Sequence, residues 1–188
     1  MHAVITGATK GIGLAIAETF ASKGFDLAIC SRSSAELDKT AQSLVEKYGV
    51  RVVCQAADLS NPEDAKKFGA FAQQQLQTID VLINNAGVYI GGEIENEPEG
   101  TLAAMINTNL YSAYHLTRAL LPNMLSHHKG HIINMCSIAS KIAYPNGGSY
   151  SISKFALLGF SKVLREELKN REVLLTQKTR QTIQMVVR

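Results

Sequence analysis

Residues 150–154 read YSISK and place Tyr150 and Lys154 four positions apart, so that a phenol and an ammonium share one face of a helix. A free tyrosine titrates near pH 10. To move a proton near neutral pH it needs a neighbouring cation that favours the phenolate, and this spacing supplies one. The pair lies downstream of a glycine-rich opening, TGATKGIG at 6–13, and of a serine at Ser137. That is an enzyme's arrangement.

The glycine loop indicates what the enzyme holds. Thr6, Gly7, Gly11 and Gly13, with Thr9, Lys10 and Ile12 among them, sit where a buried strand hands over to a helix carrying Ile12, Ala15, Ile16 and Phe20 on its inner side. Glycine permits the tight turn and lets backbone N–H groups approach a pyrophosphate at the positive helix end. Glycines also mark ordinary strand-to-helix turns, but the position after the first strand of a βαβ unit favours phosphate.

Cofactor choice falls at the end of the second strand, where an Asp or Glu would accept bonds from an adenosine ribose 2′-OH. Ser31 and Arg32 stand there instead. Arg32 can form charge-assisted bonds to a 2′-phosphate and Lys10 adds a second cation, which predicts NADPH over NADH. Asp58, with Leu59 beside it after the third strand, either bonds the adenine amino group or caps the next helix.

These residues need a scaffold. HAVIT, DLAIC, VVCQA, VLINN and HIINMC are short β-type runs separated by stretches of helical periodicity. Such alternation predicts an α/β fold, a doubly wound parallel sheet with helices on both faces. Capping boxes are expected at Ser33/Glu36 and Ser60/Glu63. The glycine-rich, acidic stretch GGEIENEPEG at 91–100 reads as a solvated surface loop beside a pocket, with charge selection of substrate as the alternative.

With 188 residues, 46% apolar, the chain is expected to form a single domain over 1–188. Nineteen basic and 16 acidic residues give a net charge of +3, too weak and mixed for a nucleic-acid surface. Cys30, Cys54 and Cys136 are odd in number and far apart, which argues for free buried thiols. Met1 and His2 run straight into a strand, and no apolar stretch is long enough to span a bilayer, so a cytoplasmic protein without membrane partners is expected. His127, His128 and His131 lack neighbouring carboxylate or cysteine ligands and read as part of a solvated connection, not a metal site.

TGATKGIG at 6–13, Asp58, NNAG at 84–87, Asn109 within INTNL, Ser137 and YSISK resemble the short-chain dehydrogenase/reductase family in order and spacing, from Met1 to about Leu168. The resemblance implies a Rossmann-like fold and a small-molecule carbonyl substrate. It makes Tyr150 the acid/base and Lys154 its electrostatic partner and ribose ligand. Ser137 becomes the carbonyl anchor, and Asn109 part of a proton relay and the holder of a local helix distortion and a water. Asn84, Asn85, Ala86 and Gly87 together suit close backbone approach to the adenosine ribose and support of the central sheet; alone, NNAG could equally be a plain turn. Basic Lys10 and Arg32 resemble the NADPH-preferring branch, and the chain resembles its 3-oxoacyl reductase-like members.

The resemblance further implies homodimers or homotetramers built through helices near 101–121 and 150–168, where Leu120, Leu121, Phe155 and Phe160 could serve an interface or the core. Beyond Leu168 the family has a strand ending in a Pro-Gly turn, then a substrate-covering segment and a final strand. Here no proline follows Pro145, and the C-terminal part is expected to be incomplete relative to the family, through truncation, splicing or omitted residues. The leading expectation is an NADP(H)-dependent reduction of a ketone to a secondary alcohol. The alternative is a catalytically weak NADP(H)-binding regulatory or sensor module.

Overall fold

The computed structural model describes residues 1–178. Six strands, β1 His2–Thr6, β2 Asp26–Ser31, β3 Val52–Ala56, β4 Val81–Asn84, β5 Gly130–Met135 and β6 Val173–Lys178, form one sheet of order β3-β2-β1-β4-β5-β6. Every pairing is parallel. Helices α1 Gly11–Ser22, α2 Ser34–Tyr48, α3 Pro62–Leu76, α4 Thr101–Ile106, α5 Ser112–Ser126 and α6 Gly148–Leu168 make the connections. The order reverses between β1 and β4, and in open parallel sheets that reversal opens a crevice at the strands' carboxyl ends.

Strand alternation sends side chains to both faces. Ala3 and Ile5 of β1 join Ile16 and Phe20 of α1 and Leu37 and Leu44 of α2 in one core. Val4, with no exposed surface, faces the other way, toward Phe68 of α3 and Leu116 and Leu120 of α5. Each large side chain so buried contributes about 1.5–3 kcal/mol, and the double-sided burial makes the strands read as nearly continuous apolar runs.

A buried amide network stiffens the centre. Asn84 Nδ2 donates to Thr117 Oγ1 (3.0 Å) and Asn134 Oδ1 (2.8 Å), and Asn134 Nδ2 donates to Ser161 Oγ (2.8 Å). Two strands and two helices are thereby held in register.

Two sequence readings are corrected. A sixth strand, Val173–Lys178, pairs with β5 although only five runs stand out in the sequence. Asn61, not Ser60, caps α3, accepting from Glu63 N at 2.9 Å, because Ser60 is turned to Asp58 Oδ1. Between the two roles left open for them, Leu120 belongs wholly to the core, while Phe155 is exposed. The continuation expected after β6, including any Pro-Gly turn and substrate cover, would fall at 179–188 or beyond, outside the described residues.

Candidate active site

A cleft of about 820 Å³ opens at the carboxyl edge of the sheet. Its walls carry Gly7, Thr9, Lys10, Gly11, Ile12 and Gly13 from the glycine loop, Ser31 and Arg32 from the end of β2, Asp58 and Leu59 after β3, and Asn85, Ala86 and Gly87 after β4. Ser137, Tyr150 and Lys154 line the same space. Thr6, Asn84 and Asn109, also singled out in the sequence, lie behind the walls and are buried.

Thr6 acts from below. Its Oγ1 accepts from Asn85 N (2.9 Å) and Ala86 N (2.8 Å), tying the end of β1 to the turn after β4. Asn85 Nδ2 returns bonds to Thr6 O and Gly7 O at 3.0 and 3.1 Å. Gly13 packs against this junction, and a Cβ there would strike Gly7 O and come within 2.5 Å of Asn85 Nδ2. Gly7 and Gly11 hold positive φ, 63° and 56°, which only glycine adopts without strain. Helix α1 starts at Lys10 with no side-chain cap and no acidic residue in its first turn, so its leading N–H groups suit a phosphate.

At the β2 end, Ser31 Oγ donates to Ser33 O (3.2 Å), and Arg32 is exposed and has no hydrogen bond or ion pair among the described residues. Glu36, which the sequence reading did not count, also reaches this wall. Asp58 neither caps α3 nor stands free: its Oδ1 accepts from Ser60 N (3.0 Å) and Ser60 Oγ (2.7 Å). That closed turn fixes the carboxylate at the cleft edge.

Lys154 is buried, and its Nζ donates to Met135 O at 3.1 Å, leaving two of its three N–H donors for the cleft. Nζ lies 5.9 Å from the centre of the Tyr150 ring. Burial pulls the lysine below its ordinary 10.5, opposed by the nearby Cys136 sulfur. Ser137 Oγ accepts from Ala139 N (3.2 Å), so its own proton stays available to an acceptor in the cleft. The Tyr89 ring meets that of Tyr150 edge-on, centroids 4.8 Å apart.

Asn109 sits in a π turn, Asn107–Tyr111, between α4 and α5, the local distortion that the resemblance implied. Its amide grips Val88 from both sides, with Oδ1 accepting from Val88 N (2.7 Å) and Nδ2 donating to Val88 O (3.0 Å). Nδ2 also donates to Ser153 Oγ (2.9 Å), which itself donates to Tyr150 O (2.8 Å). Ser153, buried inside YSISK, thus links Asn109 to the tyrosine backbone.

The three histidines diverge. His127 Nδ1 meets Asn123 O (2.8 Å), His128 pairs with Glu172 (3.1 Å), and His131 Nε2 meets Thr176 Oγ1 (2.7 Å). Cys30 and Cys136 are buried thiols, with burial pushing Cys30 up to about 12, and Cys54 is partly exposed.

A parallel sheet that reverses beside a glycine loop thus gathers a tyrosine, a lysine and a serine into one crevice. The family model for short chain dehydrogenases matches residues 1–177, and the chain belongs to the short-chain dehydrogenase/reductase family. It is 34% identical over 165 residues to the ketoacyl reductase HetN of Nostoc sp., covering 88% of this chain and 57% of that protein. A metagenomic short-chain oxidoreductase solved with NADP superposes with a TM-score of 0.90 at 33% identity, covering 95% of this chain and 81% of the other. A Burkholderia phymatum short-chain dehydrogenase/reductase solved with NAD gives 0.90 at 30% identity, covering 95% and 64%. The chain therefore spans little more than half the length of the curated relative.

Proposed function

We propose that this chain reduces a ketone, of the 3-oxoacyl class, to a secondary alcohol at the expense of NADPH. The observation that carries the reading is that Ser137, Tyr150 and Lys154 line one cleft with the glycine loop and Arg32. The uncapped start of α1 and the space left by Gly13 fit a dinucleotide pyrophosphate. Lys10 and Arg32, which has no ion pair among the described residues, favour a 2′-phosphate, whereas Glu36 on that wall opposes it. Similarity to a ketoacyl reductase supports the substrate class.

When bound, the reduced nicotinamide supplies a hydride to the carbonyl carbon. The Ser137 hydroxyl donates to the carbonyl oxygen and Tyr150 Oη delivers the proton that completes the alcohol. The Lys154 ammonium favours the phenolate left behind and offers its remaining N–H groups to the ribose. Asn109 holds Val88 and, through Ser153, the backbone of Tyr150.

The same reading takes the protein as one catalytic domain that assembles as a homodimer or homotetramer in the cytoplasm. Exposed Tyr114 of α5 and Ile152, Phe155 and Val163 of α6 support assembly through these helices. Three free thiols suit a reducing compartment, and no helix among the described residues is long and apolar enough to cross a membrane.

The test is NADPH oxidation, followed by its absorbance, with a panel of ketones and 3-oxoacyl thioesters. Turnover with the thioesters supports the proposal. NADPH binding without turnover of any substrate favours the regulatory module instead.

A further inference from the structure

The acidic loop at 91–100 is not uniformly solvated. Glu93, Glu95 and Glu99 are exposed, but Glu97 is half-buried and its carboxylate closes on the start of α6. Oε1 accepts from Ser149 N at 2.8 Å, and Oε2 accepts from the Ser149 hydroxyl in a short bond. Gly92 N donates to Asn146 O (3.1 Å), a second tie between the same loop and the approach to the helix. Gly148, at φ 34°, makes room for both, since a Cβ there would run into Glu97 Oε1 and Gly92 O.

The first turn of α6 has leading N–H groups without intrahelical partners, and Gly147 offers no side chain to satisfy them. Glu97 meets that need from a different part of the chain, and a carboxylate is favoured at this positive end. Ser149, buried to 2% exposure, is the residue immediately before Tyr150. Because Ser149 directly precedes Tyr150, a rotation of the first turn about the helix axis would swing the phenol sideways within the cleft. Lys154, one turn on and bonded to Met135 O, stays where it is.

We infer that Glu97 is a positioning residue that sets the Tyr150 phenol against Lys154 and Ser137 by clamping Ser149. This inference rests on Tyr150 being the proton donor. A misplacement of about 1 Å can cost roughly 10²-fold in rate, so the loss should appear in kcat rather than in cofactor affinity.

The experiment uses the full chain labelled with 13Cζ-tyrosine, the Tyr150 resonance being the one lost in Tyr150→Phe. In Glu97→Ala that resonance should move, kcat should fall by about tenfold or more, and the NADPH Kd should stay within about twofold. Glu97→Gln, whose amide oxygen still accepts from Ser149 N, should restore most of kcat. Ser149→Ala should add little in the Glu97→Ala background, because both remove one coupled contact. If Glu97→Ala does not melt cooperatively, Ser149→Ala alone decides by the same resonance. An unmoved Tyr150 resonance in the folded variant overturns the inference. Absence of turnover in the wild-type protein counts against the reductase reading alone, and the resonance still decides the role of Glu97.

Discussion

Lys154 Nζ reaches across from α6 to the carbonyl of Met135 at the end of β5, 3.1 Å away. The ammonium is thereby held at a fixed height above the sheet, 5.9 Å from the centre of the Tyr150 ring. Helix spacing alone would put the two side chains on one face; the strand carbonyl decides where on that face the charge sits.

Replacing Lys154 with Met keeps the aliphatic stem and removes the charge. Turnover should fall by about 100-fold, within the range of acid/base contributions, and NADPH should bind more weakly. Thermal stability should hold or rise, because burial opposes the ammonium in the folded protein. Steady-state kinetics, a binding titration and a thermal melt together check this. Unchanged kinetics would remove Lys154 from the mechanism.

Gly13→Ala places a methyl against Gly7 O and Asn85 Nδ2 in a junction with no slack. Overpacking of this kind costs about 1–3 kcal/mol. Chemical denaturation should show that loss, and calorimetric titration should show weakened NADPH binding, since the displaced loop is the one that faces the phosphates.

Arg32 is the proposed discriminator between the two dinucleotides. A hydrogen bond to a charged group is worth about 1.5–3 kcal/mol, so Arg32→Ser should lower the NADPH to NADH affinity ratio by roughly tenfold or more. Dissociation constants for both cofactors measure it. An unchanged ratio assigns the preference elsewhere, and Glu36→Gln is then the informative second variant.

His131 is partly buried, and that burial, with the Lys178 charge, pulls it below the ordinary histidine value of 6.5. Above 6.5 both folded and unfolded states are neutral there and the group has no pH effect. As pH falls through 6.5 the unfolded chain takes up the proton first, so stability drops until the folded value is passed. His131→Gln should flatten the dependence of Tm between about pH 7 and about pH 5. His115, lowered mainly by burial, keeps its own share of the slope.

The fold was legible wherever burial imposes a strict pattern. Strands covered on both faces must be apolar throughout, and β1, β2, β4 and β5 announce themselves accordingly. VLLTQK of β6 hides its nature because Leu174 is exposed and Thr176, Gln177 and Lys178 are polar at the sheet edge. The glycine loop, Arg32 and YSISK were legible as chemistry because their spacing follows one strand, one turn or one helix face. Glu97, Ser153 and Glu36 were not. Glu97 and Ser153 make fold-made contacts, Glu97 with Ser149 52 positions away and Ser153 with Asn109 44 positions away, and Glu36 is brought to the cleft wall by the fold alone. No local period encodes such pairs.

The most direct test of the whole account is the rate of NADPH oxidation by Tyr150→Phe, measured with a 3-oxoacyl thioester that the wild-type protein reduces. The account predicts a loss of about 10²-fold or more in kcat with the NADPH Kd essentially unchanged, because the phenyl ring keeps its packing against Tyr89 and loses the proton alone. Turnover at the wild-type rate would contradict it.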